Sequence, residues 1–433
     1  MKAQSLNIIT AASLVGQSLA ASNSVRNKTV PTVYMPLNYY YGSNHKISTN
    51  VILPWNNQTI EAVYDQGSEN FFMFGPNSID NWGCNALLCQ GHCNQTVPAV
   101  DSYNYLNSPT ASAPVPFEFA YNYGGYDKHY TGRISVNDTF GFINVAGQSS
   151  IVPDMRVGIA DYLQQRLGDS GTCTATPLFP EYDFSILGIS PVQYGPTWNT
   201  TGPSVRADLL YRGVIDAPVQ SMWFDQAPDN VTGTYTGGGI FGGIDTSKFT
   251  GPLVKVPNFS GSGTVGYFVS LPTISVNGVV IEPTSYAATT TCQLDSGTMT
   301  DTLPISDAGW AVLQNATGIT RSSTGVAAWP GTCQSIPANV TIDLEWTGKN
   351  ASESVTVKVP VRAYARYNTI ADEAAGLCTL NLLWGSTCML AAPFTTAAFF
   401  AADDEKLEIA LAQGGVSVPG SGPDESSIVL RIP

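Results

Sequence analysis

The chain is poor in positive charge and nearly devoid of histidine. It carries 19 Lys and Arg and 3 His against 33 Asp and Glu, and only 12% of its residues are charged at all. Clustered cations are what tracks a phosphate backbone, so no nucleic-acid partner is expected. A Ser-His-Asp hydrolase needs an imidazole held beside its nucleophile. Here His45, His92 and His129 sit in polar, turn-like surroundings, and no Gly-x-Ser-x-Gly elbow occurs. A nucleotide-binding glycine loop and a metal-ligand helix are also missing. Long apolar runs are absent too. Leu6 to Ala20 is interrupted by Gln17 and Ser18 and is too short and polar to span a bilayer. The tail Ile428-Val429-Leu430-Arg431-Ile432-Pro433 is too short for a lipid-anchor signal. No membrane partner is therefore expected.

What is present points outside the cell. Lys2, the modest apolar stretch to Ala20, and the small-x-small string Ser18-Leu19-Ala20 read as a secretory signal over residues 1–20. Sequons at Asn27, Asn57, Asn94, Asn137, Asn199, Asn230, Asn258, Asn315, Asn339 and Asn350 agree with a glycosylated secreted protein. The 8 cysteines are even in number, as expected in an oxidising compartment. Cys84, Cys89, His92 and Cys93 are chemically adequate zinc ligands. Their spacing matches no finger pattern, however, and disulfides absorb the thiols, so no metal or other cofactor is expected. The net charge of −14 moves toward neutrality in acid instead of building positive self-repulsion, which suits a protein working at low pH.

Length alone allows two or three domains, and the pattern is mainly β. Runs such as Ile274-Ser275-Val276, Val355-Thr356-Val357-Lys358-Val359 and Ile428-Val429-Leu430 lie between Gly, Asn, Pro and Ser turns. The 41 Gly and 28 Pro leave little room for long helices. Short helices are expected at 155–168, 207–213 and 306–317.

Two segments carry the chemistry: Tyr64-Asp65-Gln66-Gly67-Ser68 and Leu294-Asp295-Ser296-Gly297-Thr298. Either string alone is an ordinary β-turn, with Asp and Gly in favoured places. As a pair, far apart in the chain, they supply one carboxylate from each half. Two carboxyl groups face to face cannot both ionise easily, so they share a proton and act as base and acid in one site. Gly67 and Gly297 allow a tight backbone turn beside each Asp, and Ser68 and Thr298 can hydrogen-bond the carboxylates.

With these strings stand Phe71-Phe72-Met73-Phe74, Ile186-Leu187-Gly188, the run Gly237-Gly238-Gly239-Ile240-Phe241-Gly242-Gly243-Ile244-Asp245, Tyr267-Phe268-Val269-Ser270-Leu271 and Met389-Leu390-Ala391. Through them the chain resembles a pepsin-like aspartic protease of the secreted fungal type, over nearly its whole length after about residue 33. The resemblance implies a bilobed pepsin-like acid protease fold, two β-barrel-like lobes with an active-site cleft between them. It places the first lobe at 21–260 and the second at 261–433. It implies disulfides Cys84–Cys89 and Cys333–Cys378, and neighbouring strands that would pair Cys292 with Cys388. Cys93 and Cys173 remain as a further pair, although Cys84, Cys89 and Cys93 lie so close together that the first-lobe pairing stays open. It also implies a flap hairpin carrying a Tyr. Alternation puts Phe117, Phe119, Tyr121 and Tyr123 on one face, and spacing to Gly132 and Asp138 favours Tyr123, with Tyr121 second.

Three features depart from the family pattern. Gln66 stands where a Thr or Ser hydroxyl usually braces one Asp loop against the other, whereas Ser296 retains it. Phe72 stands where a Trp would offer an N–H to the flap Tyr, and Phe has no donor. About 45 residues separate the expected cleavage site from Asp65, which leaves little room for an inhibitory prosegment. The expectation is a secreted, monomeric aspartic endopeptidase acting on polypeptides at acidic pH. Its catalytic residues are Asp65 and Asp295, and substrate is bound by Gly67, Ser68, Tyr121, Tyr123, Gly297 and Thr298. The departures keep open an alternative, a pepsin-fold protein of weak or no activity that binds proteins or peptides outside the cell.

Overall fold

Strands dominate, and their burial follows the period of two that the sequence carries. In Thr341–Thr347, Ile342, Leu344 and Trp346 are buried while Glu345 and Thr347 are exposed. This strand pairs in register with Ser354–Pro360, whose Val355, Val357 and Val359 join the same core. Thr273–Val276 reverses into Val279–Val280 through Asn277-Gly278, at φ of 51° and 77°. Asn and Gly tolerate these positive angles, which a two-residue hairpin turn demands.

The protein is described here from a computed structural model for residues 31–41, 47–83, 96–98, 102–123, 128–166, 185–192, 202–228, 233–260, 265–283, 290–322, 326–366 and 376–433. Outside these residues lie the 1–20 leader, His45, and the cysteines Cys84, Cys89, Cys93 and Cys173 with their alternative pairings. The zinc alternative with His92 and the sequons at Asn27, Asn94, Asn199 and Asn230 lie outside them as well.

Two expected helices form. Ser306 caps Asp307–Thr317 by accepting a hydrogen bond from the Gly309 amide at 2.9 Å, and Gly318, at φ 83°, ends it. Val205–Tyr211 forms two residues ahead of the expected span because Ser204 supplies the cap. The expected helix at 155–168 does not form. Residues 155–166 continue the strand Ser149–Arg166, which is hydrogen-bonded on both sides, antiparallel to Lys128–Ile143 and parallel to Phe71–Gly83, and 167–168 lie outside the described residues. Sheet pairing on two edges overrides a helical local preference. Gly158 lets this strand pack closely under the rings: a Cβ there would lie 3.2 Å from the Phe119 ring and 3.3 Å from the Phe72 Cβ.

The same arrangement occurs twice around the two Asp loops. Gln58–Asp65 runs parallel to Ser185–Gly188, and Phe71–Gly83, after the loop, pairs antiparallel with that same strand. In the second half Thr291–Leu294 runs parallel to Met389–Leu390, and Asp301–Leu303 pairs antiparallel with it at Thr302 and Met389. Disulfides Cys292–Cys388 and Cys333–Cys378 both form, with Cα separations of 4.6 Å and 5.0 Å. Strands from near the C-terminus, Ala398–Asp403 and Glu408–Gln413, insert between Val219–Phe224 and Thr250–Val256. They thereby join a sheet of fourteen strands among the described residues. This is the bilobed β architecture of a pepsin-like protein.

Asp301, at the start of the strand that follows the second loop, is fully buried. Its Oδ1 accepts from the Ala391 amide at 2.6 Å, and its Oδ2 has no hydrogen-bond partner. Burial pushes this carboxyl from 3.8 up to about 7. The folded protein thus keeps a proton that the unfolded chain releases above about pH 4. Stability is fullest in acid and falls as pH rises from about 4 to about 7, by at most ~1.4 kcal/mol per pH unit. Asp208, raised to about 6 by burial, acts in the same direction. Asp301→Asn retains an oxygen for Ala391 and has no charge to bury. Its melting temperature should drop less than that of the wild type between pH 4 and pH 7, and parallel curves would show that Asp301 does not carry the slope.

Candidate active site

Each Asp is held by its own loop in the same way. Asp65 is 4% exposed at the end of its strand; its Oδ1 accepts from the Gly67 amide at 2.8 Å and its Oδ2 from the Ser68 hydroxyl at 2.6 Å. Asp295 is 9% exposed; its Oδ1 accepts from the Gly297 amide at 2.9 Å and its Oδ2 from the Thr298 hydroxyl at 2.8 Å. These donors fix the orientation of both carboxylates. The glycines do more than turn the chain. A Cβ on Gly67 would lie 2.8 Å from the Asp295 carboxyl carbon, and one on Gly297 would lie 2.2 Å from Asp65 Oδ1. Each glycine is therefore packed against the opposite Asp, and the two carboxylates meet across them.

One hydroxyl bridges the loops directly. Ser296 Oγ accepts from the Gln66 amide at 3.0 Å and donates to the Tyr64 carbonyl at 2.5 Å. The reciprocal contact from the first loop is missing, as expected. Gln66 is 2% exposed, and its side-chain nitrogen has no hydrogen-bond partner.

Above the carboxylates lies an aromatic layer. Val115–Tyr123 and Lys128–Ile143 pair antiparallel as a hairpin; residues 124–127 between them lie outside the described residues. The expected face is formed: Phe117 packs tilted against Phe119 at a centroid spacing of 5.6 Å, and Phe119 stacks on Tyr121 at 4.8 Å. Phe72 packs beneath, 5.7 Å from Phe119, 5.8 Å from Tyr121 and 6.1 Å from Tyr123. Between the two candidate tyrosines, Tyr123 lies nearer the carboxylates. Burial and then the charge of Asp65 push its hydroxyl well above its usual range, and Asp295 contributes. Tyr121 instead feels Glu69 after burial, and is pushed up to about 12. With Phe72 offering no donor, the buried Tyr123 hydroxyl lies against Ser68 without closing a hydrogen bond.

The cleft between carboxylates and hairpin measures about 640 Å³. It gathers all eight residues expected at the site: Asp65, Gly67, Ser68, Tyr121, Tyr123, Asp295, Gly297 and Thr298. It also takes in Glu69, Asn70, Asn122, Val265, Gln293 and Met389, which sequence reasoning did not single out as lining residues. Glu69 and Asn70 directly follow the first motif and Met389 belongs to the second apolar pair, so adjacency to the motifs was their only signal. Among the described residues no cluster of His, Cys, Asp and Glu could hold a metal ion, and no helix is long and apolar enough to cross a membrane.

A buried network behind the loops was not legible in the sequence. The Arg206 guanidinium donates to Asp404 Oδ2 at 2.7 Å, to the Tyr267 hydroxyl at 2.9 Å, and to the Ile189, Ser190 and Pro218 carbonyls. Burial pushes the Asp404 carboxyl up while Arg206 pulls it down. The desolvation of such a buried pair offsets most of its attraction, so its net contribution to stability is small.

Because its hydroxyl is buried and unpaired, Tyr123→Phe should leave stability to urea unchanged or raise it by about 1 kcal/mol. Tyr123→Ala removes a ring from the layer and should cost roughly 2–4 kcal/mol. A loss for Tyr123→Phe as large as for Tyr123→Ala would mean that the hydroxyl is satisfied after all.

Residues 48–414 match the model of the family described as eukaryotic aspartyl protease. The chain is similar to pepsin B of Canis lupus familiaris, 23% identical over 227 residues that cover 52% of this chain and 47% of that protein. It is also similar to the probable aspartic-type endopeptidase opsB of Aspergillus fumigatus, 24% identical over 396 residues, covering 87% of this chain and 71% of that protein. Secreted aspartic protease 8 of Candida albicans is 30% identical over 154 residues, covering 35% of this chain and 33% of that protein. The match thus spans about half of the pepsin and a third of the Candida protease. With a duplicated Asp-loop fold, two facing carboxylates and a family match over most of its length, the chain belongs to the eukaryotic aspartyl protease family.

Proposed function

We propose that this protein is an endopeptidase that hydrolyses extended polypeptides in acid, with Asp65 and Asp295 as its catalytic pair. The observation that carries this reading is the reciprocal packing of Gly67 on Asp295 and of Gly297 on Asp65. A water held between the carboxylates loses a proton to one of them as it attacks the scissile carbonyl. The other carboxyl protonates the carbonyl oxygen, and proton transfer then assists the leaving amine. The order of protonation belongs to the pair, not to either residue. Tyr121 and Tyr123 cover the substrate from the hairpin, and Val265 and Met389 in the cleft wall favour apolar side chains beside the scissile bond. Residues 21–260 and 261–433 are the two lobes, with the C-terminal strands crossing back to the shared sheet. Residues 1–20 direct secretion, and the protein acts as a monomer.

A second reading is supported by Gln66 and Phe72, which leave the Gln66 amide nitrogen and the Tyr123 hydroxyl unpaired in the site. On this reading the cleft binds peptides outside the cell and turns them over weakly or not at all.

One assay separates the two: purified protein incubated with a denatured protein substrate between roughly pH 2 and pH 7, the window a carboxylate pair serves. The protease reading expects cleavage that rises toward acid and is lost in Asp65→Asn and Asp295→Ala, with melting temperatures near wild type. Cleavage retained in both variants would refute the pair, and peptide binding without cleavage by the wild type would establish the second reading.

A further inference from the structure

We propose that Ser190 is a positioning residue that clamps the first Asp loop to the strand beside the second, in place of the hydroxyl that position 66 lacks. The inference rests on the catalytic reading of Asp65 and Asp295 for its consequence, but not for its geometry. Ser190 is 3% exposed and every polar group it has is engaged. Its hydroxyl donates to the Gln66 carbonyl at 2.9 Å and accepts from the Gly266 amide at 2.9 Å. Its amide donates to the Ser68 carbonyl at 2.9 Å, and its carbonyl accepts from Arg206 at 2.8 Å.

The two ends of this bridge are significant. Gln66 and Ser68 flank Gly67, the residue packed on Asp295. Gly266 precedes Tyr267, which pairs with Leu294, the residue before Asp295. One hydroxyl group thus ties the backbone of the first loop to the strand beside the one that carries the second carboxylate. Ser296 makes the complementary tie, from the second loop to Tyr64 and Gln66. The chain therefore has two bridging hydroxyls converging on the segment Tyr64 to Gln66. The second comes not from the opposite Asp loop but from the turn after Ile186-Leu187-Gly188. The Gln66 side chain, buried and with its nitrogen unpaired, contributes no such tie through that nitrogen. Arg206 anchors both sides of the clamp, through the Ser190 carbonyl and through the Tyr267 hydroxyl. Small misplacement of preorganised groups lowers the rate more than it lowers substrate binding, so losing the clamp should act on kcat.

The test uses the full chain and four variants: Ser190→Ala, Ser190→Cys, Gln66→Thr, and the double Gln66→Thr/Ser190→Ala. Ser190→Cys stays close in volume while weakening both hydrogen bonds, and serves if Ser190→Ala folds poorly. Amide hydrogen exchange in peptides covering 64–68 and 265–271 is read alongside kcat and KM. Expected are faster exchange in both peptides and a kcat at least about tenfold lower in Ser190→Ala, with KM within about twofold. Partial recovery of exchange protection and kcat in the double variant is also expected, as Gln66→Thr restores a hydroxyl to the first loop. Unchanged exchange, faster exchange with unchanged kcat, or a double variant no better than Ser190→Ala would each overturn the proposal. Should the wild type lack activity, the protease reading fails on its own account. Exchange and its recovery in the double variant then decide whether the clamp exists.

Discussion

The structure depends on two carboxylates held face to face at a distance only glycine permits. Like charges repel, and a backbone that brings them together must leave no side chain between them. Gly67 and Gly297 meet that condition reciprocally, each filling the space in front of the other loop's Asp. Everything else around the site can be understood as holding that approach. The donors on each carboxylate fix its rotation. The parallel strands Ser185–Gly188 and Met389–Leu390 fix the height of each loop.

Behind the loops lies a buried ion pair. Arg206 donates to Asp404, to the Tyr267 phenol and to the Ile189 and Ser190 carbonyls, so one guanidinium joins segments far apart in the chain. An ion pair in such a place is a poor source of net stability, because desolvation offsets most of the attraction. Its value lies in geometry: a displaced guanidinium would strand several carbonyls at once. Asp301 shows the opposite case, a buried carboxyl without a cation, whose neutral form is the one the fold tolerates. Together with Asp208, it makes the folded state's advantage larger in acid than near neutrality at these two groups.

The aromatic hairpin shows how one substitution propagates. Phe72 fills the space under Phe119, Tyr121 and Tyr123 and packs 5.0 Å from Tyr130. It therefore preserves the layer as a packing unit while offering no hydrogen bond to it. The layer is held by ring contacts, and Gly158 is small so that those rings can approach the sheet.

The local content of the chain was decided by the sequence alone. Alternating β-branched residues specified the strands, Asn277-Gly278 a hairpin turn, and Ser306 with Gly318 a bounded helix, because each acts through its own backbone preference. The two Asp-x-Gly-Ser/Thr strings and the aromatic alternation from Phe117 to Tyr123 were equally legible, since their spacing is itself the signal. Only the tertiary structure decided that residues 155–166 are a strand, because pairing on two edges outweighs a local tendency toward helix. It alone brought Ser190 to Gln66 and Gly266, and Arg206 to Asp404 and Tyr267. Those contacts join residues far apart in the chain, and a serine or an arginine carries no local mark of the partner it will meet once long-range strand pairing has closed the fold.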